Sequence, residues 1–318
     1  MEVRKVNGFF IIFVIGYIGL SVVCASIMAY AQNSGIAVPD WIQYVMSEGI
    51  ILFIAIIYMI VQKIDPIREI PYKRIGIVDV ILSLVAGYCL IPAVLLISNL
   101  SMLFSTNYLE EGTTTLLTYP FAMQVILLAV IPPLVEELIF RGIFFGSYRK
   151  AGMTGAALMS GLLFGCFHLN INQALYAFVM GIVFAYMVEA TGSLWSSVIA
   201  HFAVNTYSIG IVQILKMAGI YAQDGSVSET FENAESVAGQ STAVTLVQIA
   251  MLAVIAAAFM MLAVLCIRTM AKRHGNLEKM KIQKVKLSHI KNYFTAPVIV
   301  GLVVCVMYMI MLEFSGTL

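Results

Sequence analysis

Residues 244–267 read VTLVQIAMLAVIAAAFMMLAVLCI, a run without a single charged side chain. An α-helix rises about 1.5 Å per residue, so roughly twenty apolar residues cross the hydrocarbon core of a bilayer. Apolar runs of similar length recur from one end of the chain to the other. The pattern predicts an all-α fold, a polytopic bundle of membrane-spanning helices.

The composition excludes several other classes of protein. Of the 318 residues, 61% are hydrophobic and 11% are charged, whereas about 25% are charged in soluble proteins. The mean hydropathy of +0.96 rules out a soluble globular domain, a disordered chain and a nucleic-acid-binding protein. All five cysteines lie inside apolar runs. We therefore interpret them as buried apolar residues and expect neither disulfides nor cysteine-ligated metal.

The apolar runs predict about nine transmembrane helices within one membrane-embedded domain that covers residues 1–318. We expect the first to be an uncleaved anchor, because its apolar stretch is longer than the core of a signal peptide. The predicted spans are residues 8–31, 45–62, 80–104, 119–145, 153–168, 173–188, 194–215, 244–267 and 294–312.

The distribution of basic residues predicts the orientation of these spans, since Lys and Arg accumulate on the cytoplasmic side. Arg4 and Lys5 place the N-terminus inside. With nine alternating spans, every other Lys and Arg except Lys216 then also falls inside. Residues 216–243 are predicted to form an external loop, and residues 268–292 a basic cytoplasmic loop. We interpret the basic loop as an anchor on an anionic inner leaflet, with docking of a soluble partner as the alternative.

Ionisable residues inside a span are costly and need an explanation. Glu48, Asp79, Glu189 and Glu313 lie near predicted span ends. Water or lipid headgroups can reach side chains at these ends. We therefore expect no functional role for these four residues.

The fourth span contains Glu136, Glu137 and Arg141, which follow Pro132 and Pro133. Each proline costs about 3 kcal/mol in a helix interior, so we expect the helix to bend or break there. The carbonyls freed near residues 128 and 129 need polar surroundings, which predicts a hydrated pocket beside the glutamates.

A purely structural interpretation of these charges accounts for one glutamate. Glu137 and Arg141 are four residues apart in the favourable order for an ion pair. Glu136 lies about 100° around the helix from Glu137, so its carboxylate points elsewhere.

Two further polar patterns fall in later spans. Phe164 and His168 share a helix face, and Gly161 with Gly165 forms a surface that a neighbouring helix can approach closely. His201 and Asn205 share a face of the seventh span. Hydrogen bonding between helices is the structural alternative for each pattern.

Together, these residues provide the groups that peptide-bond hydrolysis requires. A carboxylate can act as general base on water, imidazoles can orient or transfer protons, and an amide can stabilise an oxyanion. The chain has no His-Glu-x-x-His helix, no Gly-x-Ser-x-Gly turn and no pair of intramembrane aspartates. These absences exclude the other known ways of cutting a peptide bond inside a membrane, so hydrolysis by glutamate-activated water is the mechanism that remains.

In these motifs the chain resembles the CPBP family of intramembrane proteases, which includes CAAX prenyl proteases and bacteriocin-processing or self-immunity enzymes. The matching patterns are Glu-Glu-x-x-x-Arg at Glu136, Glu137 and Arg141, Phe-x-x-x-His at Phe164 and His168, and His-x-x-x-Asn at His201 and Asn205.

The resemblance implies a helical membrane domain with a conical catalytic cavity, whose core spans lie in residues 119–215. It implies that Glu136 is the general base on water, helped by His168, and that His201 and Asn205 hold the oxyanion. Glu137 and Arg141 complete the predicted site, and we interpret them as mainly structural.

The resemblance leaves two mechanisms open, because the family has been described both as metalloproteases and as glutamate proteases. Glu136, His168 and His201 could supply a zinc site with one open position. We favour the metal-free mechanism and predict no cofactor.

The leading hypothesis is an intramembrane endopeptidase that cleaves a membrane-associated peptide or protein. A proton-coupled transporter and a non-catalytic immunity or regulatory protein are the alternatives, since intramembrane Glu and His also build proton relays. We expect a multi-pass protein of the cell membrane, in a bacterial inner membrane because no organelle-targeting segment is visible at the N-terminus.

Overall fold

A computed structural model describes residues 3–106, 119–219, 242–282, 285 and 287–315. All regular elements in these ranges are helical, which confirms the predicted all-α class. Most of the predicted external loop lies outside the described residues.

The helices are numbered here in chain order. They are α1 (Val3–Asn33), α2 (Trp41–Val61), α3 (Pro66–Glu69), α4 (Ile77–Ser101), α5 (Phe121–Ala151), α6 (Met153–Phe167), α7 (Ile171–Thr191), α8 (Trp195–Met217), α9 (Thr242–Arg273), α10 (Leu287–Tyr293) and α11 (Ala296–Ser315).

Eight helices of the described chain are long and apolar enough to cross a membrane: α1, α2, α4, α5, α7, α8, α9 and α11. The predicted fifth span corresponds to α6, which has only 15 residues. Its length of about 22 Å falls short of the roughly 30 Å of hydrocarbon that a full span crosses. The orientation of the bundle stays a prediction.

Helix α6 ends before His168 because the chain turns sharply there. Leu169 has a φ of 56°, in the left-handed region that non-glycine residues rarely adopt. Asn170 follows in an extended conformation, and its side chain accepts a hydrogen bond from the Gln173 amide to begin α7. This turn leaves His168 at the end of a helix.

Helix α5 carries the two prolines without a break. It runs on from Phe121 to Ala151, but its turns widen to π-helical geometry at Val125–Val130 and Leu138–Phe145. Of the two predicted outcomes, a bend or a break, the break does not occur, because wider turns on both sides of Ile131–Glu137 accommodate the prolines. Such π-helical turns are frequent at functional sites.

The predicted close approach at Gly161 and Gly165 is confirmed, and α7 is the neighbour. A Cβ atom at Gly161 would lie 2.7 Å from the Phe178 carbonyl oxygen, and one at Gly165 would lie 2.5 Å from the Ala174 carbonyl oxygen. Because glycine alone leaves this space open, the backbones of α6 and α7 lie almost in contact.

Helices α1 and α2 pack against α5 through aromatic side chains. The Phe9 ring of α1 stacks on Tyr58 of α2 with centroids 3.9 Å apart, and on Phe144 of α5 at 5.4 Å. The Tyr17 hydroxyl lies 3.0 Å from the Ser47 hydroxyl, within hydrogen-bond distance. These contacts hold α2 beside the helix that carries Glu136.

Asp79 and Glu189 form buried ion pairs. Asp79 is 2% exposed and lies 3.2 Å from the Arg273 guanidinium and 3.1 Å from the His274 ring. Glu189 pairs with Arg149 at 3.1 Å. The expectation that water or headgroups reach these two carboxylates was wrong, because each carboxylate is buried against a basic side chain from another segment.

Candidate active site

A cavity of about 370 Å³ opens between α2, α5, α7 and α8. Its wall includes Glu136 of α5, His168 at the end of α6, and His201 and Asn205 of α8. These four side chains, which the sequence placed on three different spans, therefore line the same cavity. Phe164 and the polar side chains of Tyr44, Ser47, Glu48, Gln173, Tyr176 and Ser208 also line it.

The Glu136 carboxylate faces the ring of His201. Glu136 Oε2 lies 3.7 Å from His201 Nε2, and the Glu136 side chain is 16% exposed. This separation is too long for a direct hydrogen bond but suits a bridging water molecule. A water held there would contact the carboxylate and the imidazole together.

Glu137 lies behind the cavity and orients the other side of the His201 ring. Its Oε1 atom lies 3.1 Å from His201 Nδ1 and 2.9 Å from an Arg141 nitrogen. A carboxylate only accepts hydrogen bonds, so Nδ1 donates to Glu137 in this pairing. In singly protonated His201, Nε2 is then the acceptor that faces Glu136.

Arg141 is completely buried and has a partner on each side. Its guanidinium pairs with Glu137, which is also fully buried. The guanidinium carbon lies 4.2 Å from the centroid of the Phe164 ring and 5.2 Å from that of Phe184. Cation–π contacts of this kind favour a cation that is shielded from water. The guanidinium thus lies against Glu137 and two aromatic rings, and one of these rings, Phe164, also lines the cavity.

His168 presents one ring nitrogen to the cavity. Its Nδ1 lies 2.7 Å from the Phe164 carbonyl oxygen. A carbonyl can only accept, so Nδ1 must carry the proton and Nε2 of the neutral ring holds the lone pair. The spacing in Phe-x-x-x-His therefore fixes the tautomer, while the Phe164 ring packs edge-on against the imidazole with centroids 4.7 Å apart.

The Asn205 side chain makes a hydrogen bond that the prolines require. Its Nδ2 donates to the Leu128 carbonyl oxygen at 2.9 Å. This carbonyl lies four residues before Pro132, which cannot donate to it. The sequence predicted that carbonyls at this point need polar partners, and for Leu128 the partner is Asn205. The amide nitrogen carries a second proton, which remains for a ligand.

The predicted site residues thus fall into two groups. Four of them line the cavity, and Glu137 and Arg141 lie behind it, in contact with His201 and Phe164. Their catalytic roles stay predictions.

Glu48 lines the cavity although the sequence pattern did not indicate it. The predicted span began at residue 45, which placed this carboxylate near an end. In the structure α2 begins at Trp41, so Glu48 is a full two turns inside the helix and lines the cavity. Trp41 and Ile42, both apolar, were the signal for the earlier start.

Zinc at Glu136, His168 and His201 was the alternative to the favoured metal-free mechanism. Among the described residues, no three side chains of His, Cys, Asp or Glu are grouped closely enough to hold a metal ion. His168 uses Nδ1 for the Phe164 carbonyl and His201 uses Nδ1 for Glu137. These bonds leave Nε2 of both rings free, as in metal-binding histidines, so they do not decide between the two mechanisms and metal dependence stays a prediction.

Two comparisons with known proteins found matches. Residues 118–207 match the family model of the type II CAAX prenyl endopeptidase Rce1-like proteins. The chain is also 33% identical over 88 residues to the "Putative membrane peptidase YdiL" of Bacillus subtilis. Both matches support a CPBP/CAAX protease family.

The family-model match includes Glu136, His168, His201 and Asn205. The match to the Bacillus subtilis protein spans 27% of this chain and 36% of the relative, so the chain matches about a third of that protein. No solved structure matches the chain with significant similarity. The family match and the apolar helices support a multi-pass membrane protein.

Proposed function

We propose that the protein is an intramembrane endopeptidase, in which Glu136 activates water to hydrolyse a peptide bond of a membrane-associated peptide or protein. One observation carries the proposal: Glu136, His168, His201 and Asn205 line a single cavity between the helices. The substrate segment enters this cavity with its scissile carbonyl near the Glu136 carboxylate.

Glu136 acts as the general base. A water molecule between Glu136 Oε2 and His201 Nε2 loses its proton to the carboxylate as its oxygen attacks the carbonyl carbon. The protonated Glu136 then gives this proton to the departing amine, which completes the cleavage without a covalent intermediate. The neutral His168 ring accepts a hydrogen bond at Nε2 and helps to orient the water.

The developing oxyanion needs hydrogen-bond donors. The second Nδ2 proton of Asn205 is one such donor, because the first is held by the Leu128 carbonyl. His201 donates from Nε2 only in its doubly protonated form, because its Nδ1 proton is directed at Glu137. Of the two residues, Asn205 is therefore the one that can donate to the oxyanion in either protonation state of His201.

Glu137 and Arg141 act as positioning residues. Glu137 sets the orientation of the His201 ring, and Arg141 balances the Glu137 charge where both side chains are fully buried. Phe164 links Arg141 to His168, since its ring lies against both. This arrangement supports the rigid geometry that general-base catalysis requires.

The experiment that tests this proposal is cleavage by purified full-length protein in lipid nanodiscs. We expect both Glu136→Gln and His168→Ala to abolish cleavage while the proteins still insert and fold. Glu313→Gln removes a carboxylate outside the cavity and serves as the control. Cleavage that persists in both site variants would refute the proposal.

A further inference from the structure

Glu48 stands in the cavity wall as a second carboxylate beside Glu136. It projects from α2, on a different helix from all other charged residues of the site. Glu48 and Glu136 line the same cavity, so a charge on one carboxylate acts on the other. Two negative groups that face one cavity repel each other unless something positive lies between them.

The Glu48 side chain is partly buried, yet no ion pair joins it to any described residue. Its Oε2 atom is buried and makes no hydrogen bond with any described residue. By contrast, Asp79 pairs with Arg273, Glu137 with Arg141 and Glu189 with Arg149. Buried charges in proteins are normally paired, so Glu48 is an exception that calls for an explanation.

Among the described residues, no Lys or Arg lines the cavity. The fully buried Arg141 is not in its wall and is paired with Glu137. The two histidines in the wall direct their Nδ1 atoms away, to Phe164 and Glu137. A counter-charge for Glu48 therefore has to arrive with the molecule that fills the cavity.

We propose that Glu48 is a specificity-determining residue, which pairs with a basic side chain of the substrate segment close to the scissile bond. The inference rests on the proposed function, because it places a substrate peptide in the cavity. A Lys or Arg beside Glu48 fills the vacant hydrogen-bond position on Oε2 and offsets the repulsion between Glu48 and Glu136. A substrate with a neutral residue there leaves both carboxylates unpaired, and an acidic residue adds a third negative charge.

The test uses full-length protein in phosphatidylcholine nanodiscs and an internally quenched peptide library. Each peptide carries Lys, Gln or Glu at one scanned position of an otherwise constant apolar sequence. We expect one or two positions at which Lys is cleaved about tenfold faster than Gln, and Glu slowest of all. Glu48→Gln should reduce the Lys-to-Gln ratio to about one.

The ratio of two substrates in one variant cancels general losses of activity. Glu313→Gln makes the same chemical change outside the cavity, at a carboxylate that accepts from the Thr106 amide, and should keep the ratio of the wild type. Glu48→Asp, which keeps the charge, should keep part of the preference. If Glu48→Gln does not fold, the Lys, Gln and Glu series on the wild type still tests the inference.

The results separate this inference from the proposed function. Cleavage without any preference for Lys, or a preference that survives in Glu48→Gln, overturns the role of Glu48 and leaves the protease intact. If the wild type cleaves no peptide, the proposed function fails. Binding of fluorescent Lys and Gln peptides to the wild type and Glu48→Gln then still tests the pairing, and equal binding by both proteins overturns it.

Discussion

The buried pair of Glu137 and Arg141 gives the sharpest prediction about stability. The substitution Glu137→Gln removes a charge but keeps the shape of the side chain. Both partners are fully buried in the wild type, with nitrogen and oxygen 2.9 Å apart. Glu137 is the only acidic group in ion-pair contact with Arg141 among the described residues. The variant therefore buries a guanidinium without a counter-charge.

Removing one partner of a buried ion pair costs about 3–5 kcal/mol. The rings of Phe164 and Phe184 contact the guanidinium already in the wild type, so they add no new compensation. We expect the free energy of unfolding to fall by about this amount. Equilibrium unfolding of full-length protein in mixed detergent–SDS micelles measures it.

A matched substitution elsewhere provides the control. Glu189→Gln also removes a buried carboxylate, but its partner Arg149 is 37% exposed and can turn to water. We expect a loss of about 1 kcal/mol or less there. The double variant Glu137→Gln/Arg141→Met should recover most of the stability lost in Glu137→Gln. Equal losses for Glu137→Gln and Glu189→Gln would refute the reasoning.

Three further predictions follow from the contacts around the cavity. Asn205→Ala should lower the cleavage rate about 100-fold or more, because it removes an oxyanion donor and leaves the Leu128 carbonyl unpaired; a rate within a factor of about two of the wild type would contradict this role. Gly165→Ala places a Cβ 2.5 Å from the Ala174 carbonyl oxygen and should destabilise the protein, whereas Gly210→Ala meets no atom within 4 Å and should not; unfolding measurements that rank the two equally would contradict the packing. Elemental analysis of active protein should find no stoichiometric zinc, and zinc-dependent recovery of activity after chelation would overturn the metal-free mechanism.

The sequence predicted the features of the fold that depend on local chemistry. Apolar runs identified the helices, because crossing lipid imposes length and composition on each segment by itself. The spacing of Gly161 and Gly165 predicted a close helix contact, and the prolines predicted a carbonyl in need of a partner. These are properties of single helices, which is why the sequence reveals them.

Features that depend on how helices meet were missed. The position of Glu48 in the cavity depends on where α2 begins and which face it turns to α5. Glu137 was interpreted as mainly structural, and its contact with His201 joins residues 64 positions apart. The end of α6 depends on the left-handed Leu169, a conformation that its side chain does not favour. No local pattern encodes such contacts.

The central claim is that Glu136 activates water to cut a peptide bond. Its most direct test is a quantitative comparison of peptide termini in membranes that carry either the wild type or an equally abundant, folded Glu136→Gln variant. The account predicts new termini within or next to membrane segments that appear only with the wild type. Identical sets of termini in the two membranes would contradict it.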